Sequence, residues 1–261
     1  MGAAANTAGV IATAGSPESR ILARLSAISG AVWFDPGHDA NVTRQLDGAT
    51  WRITSMTSRV TAYTVSQGTL ALAPAEAFGP NGRRILSLSG STFLAGAAAL
   101  AALLQGTASY SEIQVGIRTS SSNTMRWCAA LNAASPDARV IHYVSAANVT
   151  VRYRSSTAAL ATLNTGAAVT NSVVHAYSST YNGSAYSGWL DGASETLSGA
   201  GANTRAPATL DILSIGCQYA LGVPGGFWVG SLAGLILTPG HVLSGAVRAA
   251  LETDLLDYYG Y

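Results

Sequence analysis

Thirteen of the 261 residues are acidic, and few of them stand close together. Breaking a glycosidic bond takes two carboxyl groups facing each other across a sugar, about 5–5.5 Å apart for retention or about 6.5–9.5 Å for inversion. The close pairs are Asp35/Asp39, Asp191/Glu195, Glu252/Asp254 and Asp254/Asp257. The first flanks Pro36-Gly37 in a loop, and the second straddles a hairpin turn. The last two are expected on the exposed face of a terminal helix. None of these settings aims two acids at one bond, so hydrolysis is not expected.

Other chemistries fare no better. Asp35, Asp39 and Asp47 could offer loop oxygens to calcium, but Asp-Pro-Gly and Asp-Gly are ordinary turn formers, so no metal is expected. The histidines, His38, His142, His175 and His241, lack zinc-ligand spacing. There is no Gly-x-Ser-x-Gly elbow, and "GPNGRR" is not a phosphate loop because no Lys-Ser/Thr follows. No cofactor is implied. Binding a sugar without chemistry needs less: an exposed aromatic ring beside hydrogen-bonding loops. Tyr181, Tyr186, Trp189 and Trp228 lie on or near hairpin loops and are the candidate glycan contacts. Their competing role is core packing, the usual one for a Trp in a sandwich strand.

The elements that must position these residues are mostly strands. "SEIQVGIRT" (111–119) alternates Ile113, Val115 and Ile117 with Gln114, Gly116 and Arg118. "NVTVRYRSS" (148–156) and "TMRWCAALN" (124–132) alternate likewise, the signature of half-buried antiparallel strands. Asp47-Gly48, Asn81-Gly82, Asn182-Gly183 and Asp191-Gly192 are turn signals, and "SAAN" at 145–148 closes another hairpin. Strands at roughly ten-residue spacing predict an all-β, two-sheet antiparallel sandwich. Two helices flank it. Ser16 suits an N-cap and Pro17 a first helical position, so residues 16–29 are predicted helical, with Ile21, Leu22, Leu25 and Ile28 on one face. A terminal helix is predicted from Ser244 to about Tyr259, its stripe of Val247, Ala250, Leu251 and Leu255 lying against the sandwich.

Residues 1–15 are nearly all Ala, Gly, Thr and Asn. Ordering a residue costs about 1–2 kcal/mol, so fixing such an arm needs on the order of 15–30 kcal/mol that its own side chains cannot supply. A neighbouring subunit is expected to bury it. Residues 1–30 therefore read as an assembly anchor of arm and short helix, with Ile21, Leu22, Leu25 and Ile28 as candidate assembly contacts. Residues 31–261 read as one sandwich domain.

Composition narrows the partners. Hydrophobic residues make up 48% and charged ones 10%, with a formal net charge of +1. Such a surface carries no electrostatic footprint for nucleic acid or an anionic membrane. All 14 basic residues are arginine. Compositional bias at the DNA level is the favoured explanation; a surface built for burial in an assembly is the sharper alternative. "FLAGAAALAALLQG" (93–106) falls short of the ~20 apolar residues of a membrane span. The start of the sequence lacks the basic region of a secretory signal. Cys128 and Cys217 are accordingly read as buried thiols, with a disulfide as the alternative, and the sequons at Asn41, Asn148 and Asn182 carry no meaning.

Four segments in order, "WFDPGHDANV" (33–42), "GPNGRRILSLSGSTFLAG" (79–96), "YNGSAYSGWLDGAS" (181–194) and the stretch from "LSIGCQYALG" through "LETDLLDYYG" (213–260), resemble concanavalin A-like, laminin-G-like jelly rolls. The resemblance covers residues 31–260. Departures include Val247 where a capping-box Glu is usual, the absence of an acid in "SLAGLIL", and Gly188-Trp189 in place of a plain β-branched residue. The superfamily's retaining glucanases carry Glu-x-Asp-x-x-Glu on one strand, a run this chain lacks.

Versions ending in such a helix are frequent in tailed-bacteriophage virion proteins and bacterial surface proteins. The resemblance thus implies a non-enzymatic virion protein, a capsid decoration, head fibre or tail accessory, made in the host cytoplasm. It would contact other capsid or tail subunits and self-associate, as a trimer or about another symmetry axis. Host surface glycans are a further expected partner; nucleic acid and membrane insertion are not expected. The alternative is a carbohydrate-binding adhesin, and the third reading a polysaccharide hydrolase. Packing motifs specify fold better than function.

Overall fold

The structure is a computed structural model describing residues 15–105, 109–120, 125–131, 139–145, 148–154, 161–195, 209–220 and 223–261. Within 125–168, and at 195 and 219–220, it describes the backbone alone. The arm expected at residues 1–15 lies outside the described residues except for Gly15.

Helix α1 (Pro17–Ser26) begins as the sequence predicts, with the Ser16 hydroxyl accepting from the Ser19 amide at 3.3 Å. It ends three residues sooner than predicted, before Gly30, whose φ of 74° suits a glycine. The strands follow in order: β1 (Val32–Phe34), β2 (Val42–Asp47), β3 (Thr50–Thr57), β4 (Thr64–Ser66), β5 (Ala75–Phe78), β6 (Arg84–Ser89) and β7 (Leu94–Gly96). A short helix α2 (Ala98–Ala101) comes next. Then come β8 (Tyr110–Arg118), β9 (Met125–Leu131), β10 (Arg139–Ser145), β11 (Asn148–Arg154), β12 (Ala161–Ala168), β13 (Val174–Tyr181), β14 (Tyr186–Leu190) and β15 (Ala193–Glu195). The chain closes with β16 (Ile212–Ile215), β17 (Gln218–Ala220), β18 (Val223–Gly225), β19 (Val229–Pro239) and helix α3 (Gly245–Tyr259).

The strands pair antiparallel into two facing layers, the fold class the periodicity predicts. The first runs β5–β6–β19–β8–β13–β14–β15, with β1 beside the second half of β19. The second runs β4–β7–β16–β9–β10–β11–β12. Strand β3 joins both: Arg52 pairs with Ala75 of β5, while Ser55–Thr57 pair with β4. The predicted hairpins appear, with Leu46 opposite Trp51, Ser145 opposite Asn148, and Tyr181 opposite Tyr186. Gly192 follows Asp191 at φ 80° and 52°, the two left-handed residues of a tight turn.

One apolar core lies between the layers and includes Val32, Phe34, Met56, Leu88, Leu213 and Trp228. A second lies on the outer face of the first layer, where α1 and α3 cover it; Trp33, Ile113, Val115, Ile236, Leu251 and Tyr259 belong to it. The first layer is therefore buried on both sides. This corrects the half-buried reading of 111–119: Glu112, Gln114 and Arg118, on the face opposite Ile113 and Val115, are also buried. The apolar run that begins at Phe93 supplies β7, α2 and a 3-10 turn (Ala102–Leu104), with Leu94, Leu100 and Leu104 in the inter-sheet core. Among the described residues, no helix is long and apolar enough to cross a membrane.

Helix α3 is capped as predicted, Ser244 accepting from the Val247 amide and Gly260 adopting φ 83° at the far end. Its buried face differs from the predicted stripe. Leu251 and Leu255 are joined by Arg248, Glu252, Asp254, Tyr258 and Tyr259, while Val247 and Ala250 are only half-buried.

Candidate functional site

The aromatic residues singled out from the sequence do not form a site. Tyr181, Tyr186 and Trp228 are buried in the inter-sheet core, the first two with ring centroids 4.7 Å apart. Tyr181 and Tyr186 flank a hairpin turn, as predicted, and Trp228 lies in the link between β18 and β19; all three face inward and cannot stack on a sugar. Trp189 points to the helix-covered face, where the Arg248 guanidinium lies 4.2 Å from its ring centroid.

The predicted assembly face also turns inward. Ile21 and Leu25 are wholly buried against α3 within the same chain, because two helices on one sheet face must pack together to exclude water. Leu22 and Ile28 are half-buried and border an open groove of about 580 Å³ with Arg59 and Val60.

Several of the acids hold the fold together. Glu252 and Asp254, expected on an exposed helix face, are buried. Glu252 pairs with Arg248 and accepts from Ser178; Asp254 accepts from Arg20 at 2.7 Å and Arg24 at 3.2 Å. Asp35 is the hub between sheet and helix, taking hydrogen bonds from Tyr258, Tyr259, Arg59 and the Gly37 amide. Asp47 pairs with Arg52 at 3.2 Å. No group of three potential metal ligands occurs among the described residues. His175 is buried, with Nδ1 2.7 Å from Asp191. Cys217 is buried, and the side chain of Cys128 lies outside the described residues.

A different surface has the attributes of a binding site. The Asp47-Gly48 turn folds β2 onto β3 with Leu46 opposite Trp51 and Arg44 opposite Ile53. Alternation puts Arg44, Leu46, Trp51 and Ile53 on one face. Ile53 belongs to the inter-sheet core, but Leu46 is 50% exposed and Trp51 48%. On β5 and β6, Glu76 opposes the core residue Leu86, and Phe78, 61% exposed, opposes Arg84. The inner face of the first layer thus continues past its cover and presents two aromatic rings to solvent. A bulge at Thr54, where Thr43 and Arg44 pair with Ser55 and Ile53, accompanies this, and bulges sharpen local twist.

Four charges lie among the rings. Arg84 donates from Nε to Glu76 at 2.7 Å, from Nη2 to Asp39 at 2.6 Å, and from Nη1 to the Pro36 carbonyl at 3.1 Å. Arg44 reaches both Glu76 oxygens at 3.3 Å and stands 5.5 Å from the Trp51 ring centroid, steadying the indole. The Arg84 hydrogen bond and charge hold the Asp39 carboxyl below the usual carboxylate range. Burial alone would lower the Arg84 pKa; its bonds to Glu76 and Asp39 outweigh that and raise it.

The sequence holds a partial signal for this face. Counting outward from Asp47-Gly48 pairs Leu46 with Trp51 and places Arg44 beside them. What counting does not reveal is that neither apolar side chain is covered by the second layer.

No protein-family model matches the chain, and no curated protein matches it. Solved structures do. The CBM40 of Ruminococcus gnavus IT-sialidase, bound to alpha2,3 sialyllactose, superposes with a TM-score of 0.54 at 16% identity, over 68% of this chain and 97% of that one. Domain 4 of AbnA, a GH43 extracellular arabinanase from Geobacillus stearothermophilus, in complex with arabinotriose, gives 0.53 at 14% identity, over 85% and 97%. Trypanosoma rangeli sialidase in complex with the inhibitor DANA gives 0.55 at 14%, over 85% of this chain and 32% of that one. At such identities the likeness is one of fold.

Proposed function

We propose that this chain is a non-enzymatic carbohydrate-binding module whose sugar-facing surface is the Arg44–Trp51–Phe78 face. The observation that carries the reading is a pair of exposed rings flanking an ordered cluster of hydrogen-bonding charges at the margin of the inter-sheet core. A sugar presents an apolar ring face and a rim of hydroxyls; Trp51 and Phe78 suit the first, Arg44 and Asp39 the second. The shared fold supports it, since two neighbours of full-domain length carry oligosaccharides in their structures.

The same cluster supports a reading of binding without cleavage. A glycosidase needs one carboxyl protonated near neutrality. The hydrogen bond and charge of Arg84 hold Asp39 ionised. The virion role is implied by the sequence resemblance alone; of its expected anchor, the helix packs within its own chain and the arm lies outside the described residues. The two readings meet if the module is displayed on a phage particle, where it would engage host surface glycans.

A glycan array followed by calorimetric titration tests the proposal. Wild type is expected to bind a subset of oligosaccharides, with Trp51→Ala at least about tenfold weaker and its melting transition retained. Binding unchanged in Trp51→Ala and in Phe78→Ala would overturn the assignment of this face.

A further inference from the structure

We infer that this face accepts uncharged sugars and discriminates against carboxylated ones; the inference rests on the glycan-binding reading above. It comes from the charge accounting of the cluster. Arg44 and Arg84 are matched by Glu76 and Asp39, so the face carries no formal surplus of positive charge. Each nitrogen of the Arg84 guanidinium is engaged, with Glu76, Asp39 and the Pro36 carbonyl, and its side chain is 8% exposed. Arg44 faces Glu76 with Nη1 and stands 3.9 Å from Asp39 through Nη2.

The group most open to solvent is the anion Asp39, whose side chain is 77% exposed and whose Oδ1 takes the Arg84 bond. Its other oxygen can accept from a sugar hydroxyl in a charge-assisted bond. An acidic sugar arriving at the same place meets a like charge. On Arg84 it would have to displace Glu76 or Asp39; on the more open Arg44, 35% exposed, it would lie beside both carboxylates, Asp39 at 3.9 Å from Nη2 and Glu76 at 3.3 Å from Nη1, and such like-charge juxtaposition is unfavourable. A neutral sugar displaces nothing: it stacks on Trp51 or Phe78 and donates to Asp39.

The measurement is titration of the intact chain with matched sugars, lactose and sialyllactose, and with neutral and uronic-acid oligosaccharides of equal length. The expected result is binding within the neutral set, acidic counterparts at least about tenfold weaker, and little dependence on salt for the neutral ligands. Asp39→Asn leaves Arg44 and Arg84 in excess and is expected to narrow or reverse that preference. Tighter binding of the acidic sugars by wild type would overturn the inference while leaving the glycan-binding reading intact. Equal affinity for both would do the same. No binding to any sugar would overturn both.

Discussion

The hydroxyl of Tyr259, in the last turn of α3, donates a 2.7 Å hydrogen bond to Oδ1 of Asp35 in the loop after β1, and both residues are wholly buried. Tyr258 donates to the other oxygen at 2.8 Å, and Arg59 reaches it at 3.1 Å. One carboxylate thus ties the terminal helix to the sheet, and Arg59 extends the link to α1 through Glu18 at 2.5 Å. Removing one partner of a buried ionic group typically costs about 3–5 kcal/mol. Asp35→Ala is expected to lose that much in urea denaturation. A loss below about 1 kcal/mol would mean that Glu18 alone balances Arg59.

The same pair sets an alkaline limit. Burial first, then the charge and hydrogen bond of Asp35, push both phenols above their ordinary value of about 10. Their contribution is complete below that pH. Above it the unfolded chain releases protons that the folded chain keeps, so stability falls as pH rises. Phenolate absorbance should show Tyr258 and Tyr259 ionising together with unfolding; both titrating in the folded state would contradict this.

At the acid end the signs reverse. Glu18 and Asp39 are held below the usual carboxylate range, Glu18 by Arg59 against the opposing effect of its partial burial, Asp39 by Arg84. Their contributions are present above about pH 4 and are lost as pH falls through the lowered folded values. Affinity for a neutral glycan is therefore expected to stay flat from about pH 5 to 8. A step in affinity within that window would show that another group governs binding.

Leu25→Ala tests whether α1 is a cover or an external anchor. Because Leu25 is fully buried against the first layer and α3, truncation should cost about 2–5 kcal/mol in the isolated chain. A near-neutral result would return Leu25 to the role of an assembly contact.

Gly230 is the least replaceable backbone position in β19. It sits at φ 141°, and an added Cβ would lie 2.0 Å from the Ile117 carbonyl oxygen on β8. Strain and clash together should make Gly230→Ala cost more than about 3 kcal/mol, or prevent folding, as read by circular dichroism and yield.

Much of this was legible in the residues alone. Alternation and turn dipeptides determine the strands and hairpins, and Ser16, Pro17, Ser244 and Gly260 set the helix ends, because each of these depends on a few neighbours in the chain. Exposure does not. Tyr181 and Tyr186 stand at hairpin ends just as Trp51 does, and Trp228 stands just before a strand; the second layer covers these three and stops short of Trp51. Ile21 and Leu25 form an apolar stripe whose partner, α3, lies more than two hundred residues away in sequence. Local pattern fixes which way a side chain points from its own strand or helix. Only the long-range stacking of layers decides whether water or another sheet waits there, and that is what makes Trp51 a candidate contact and Trp228 core.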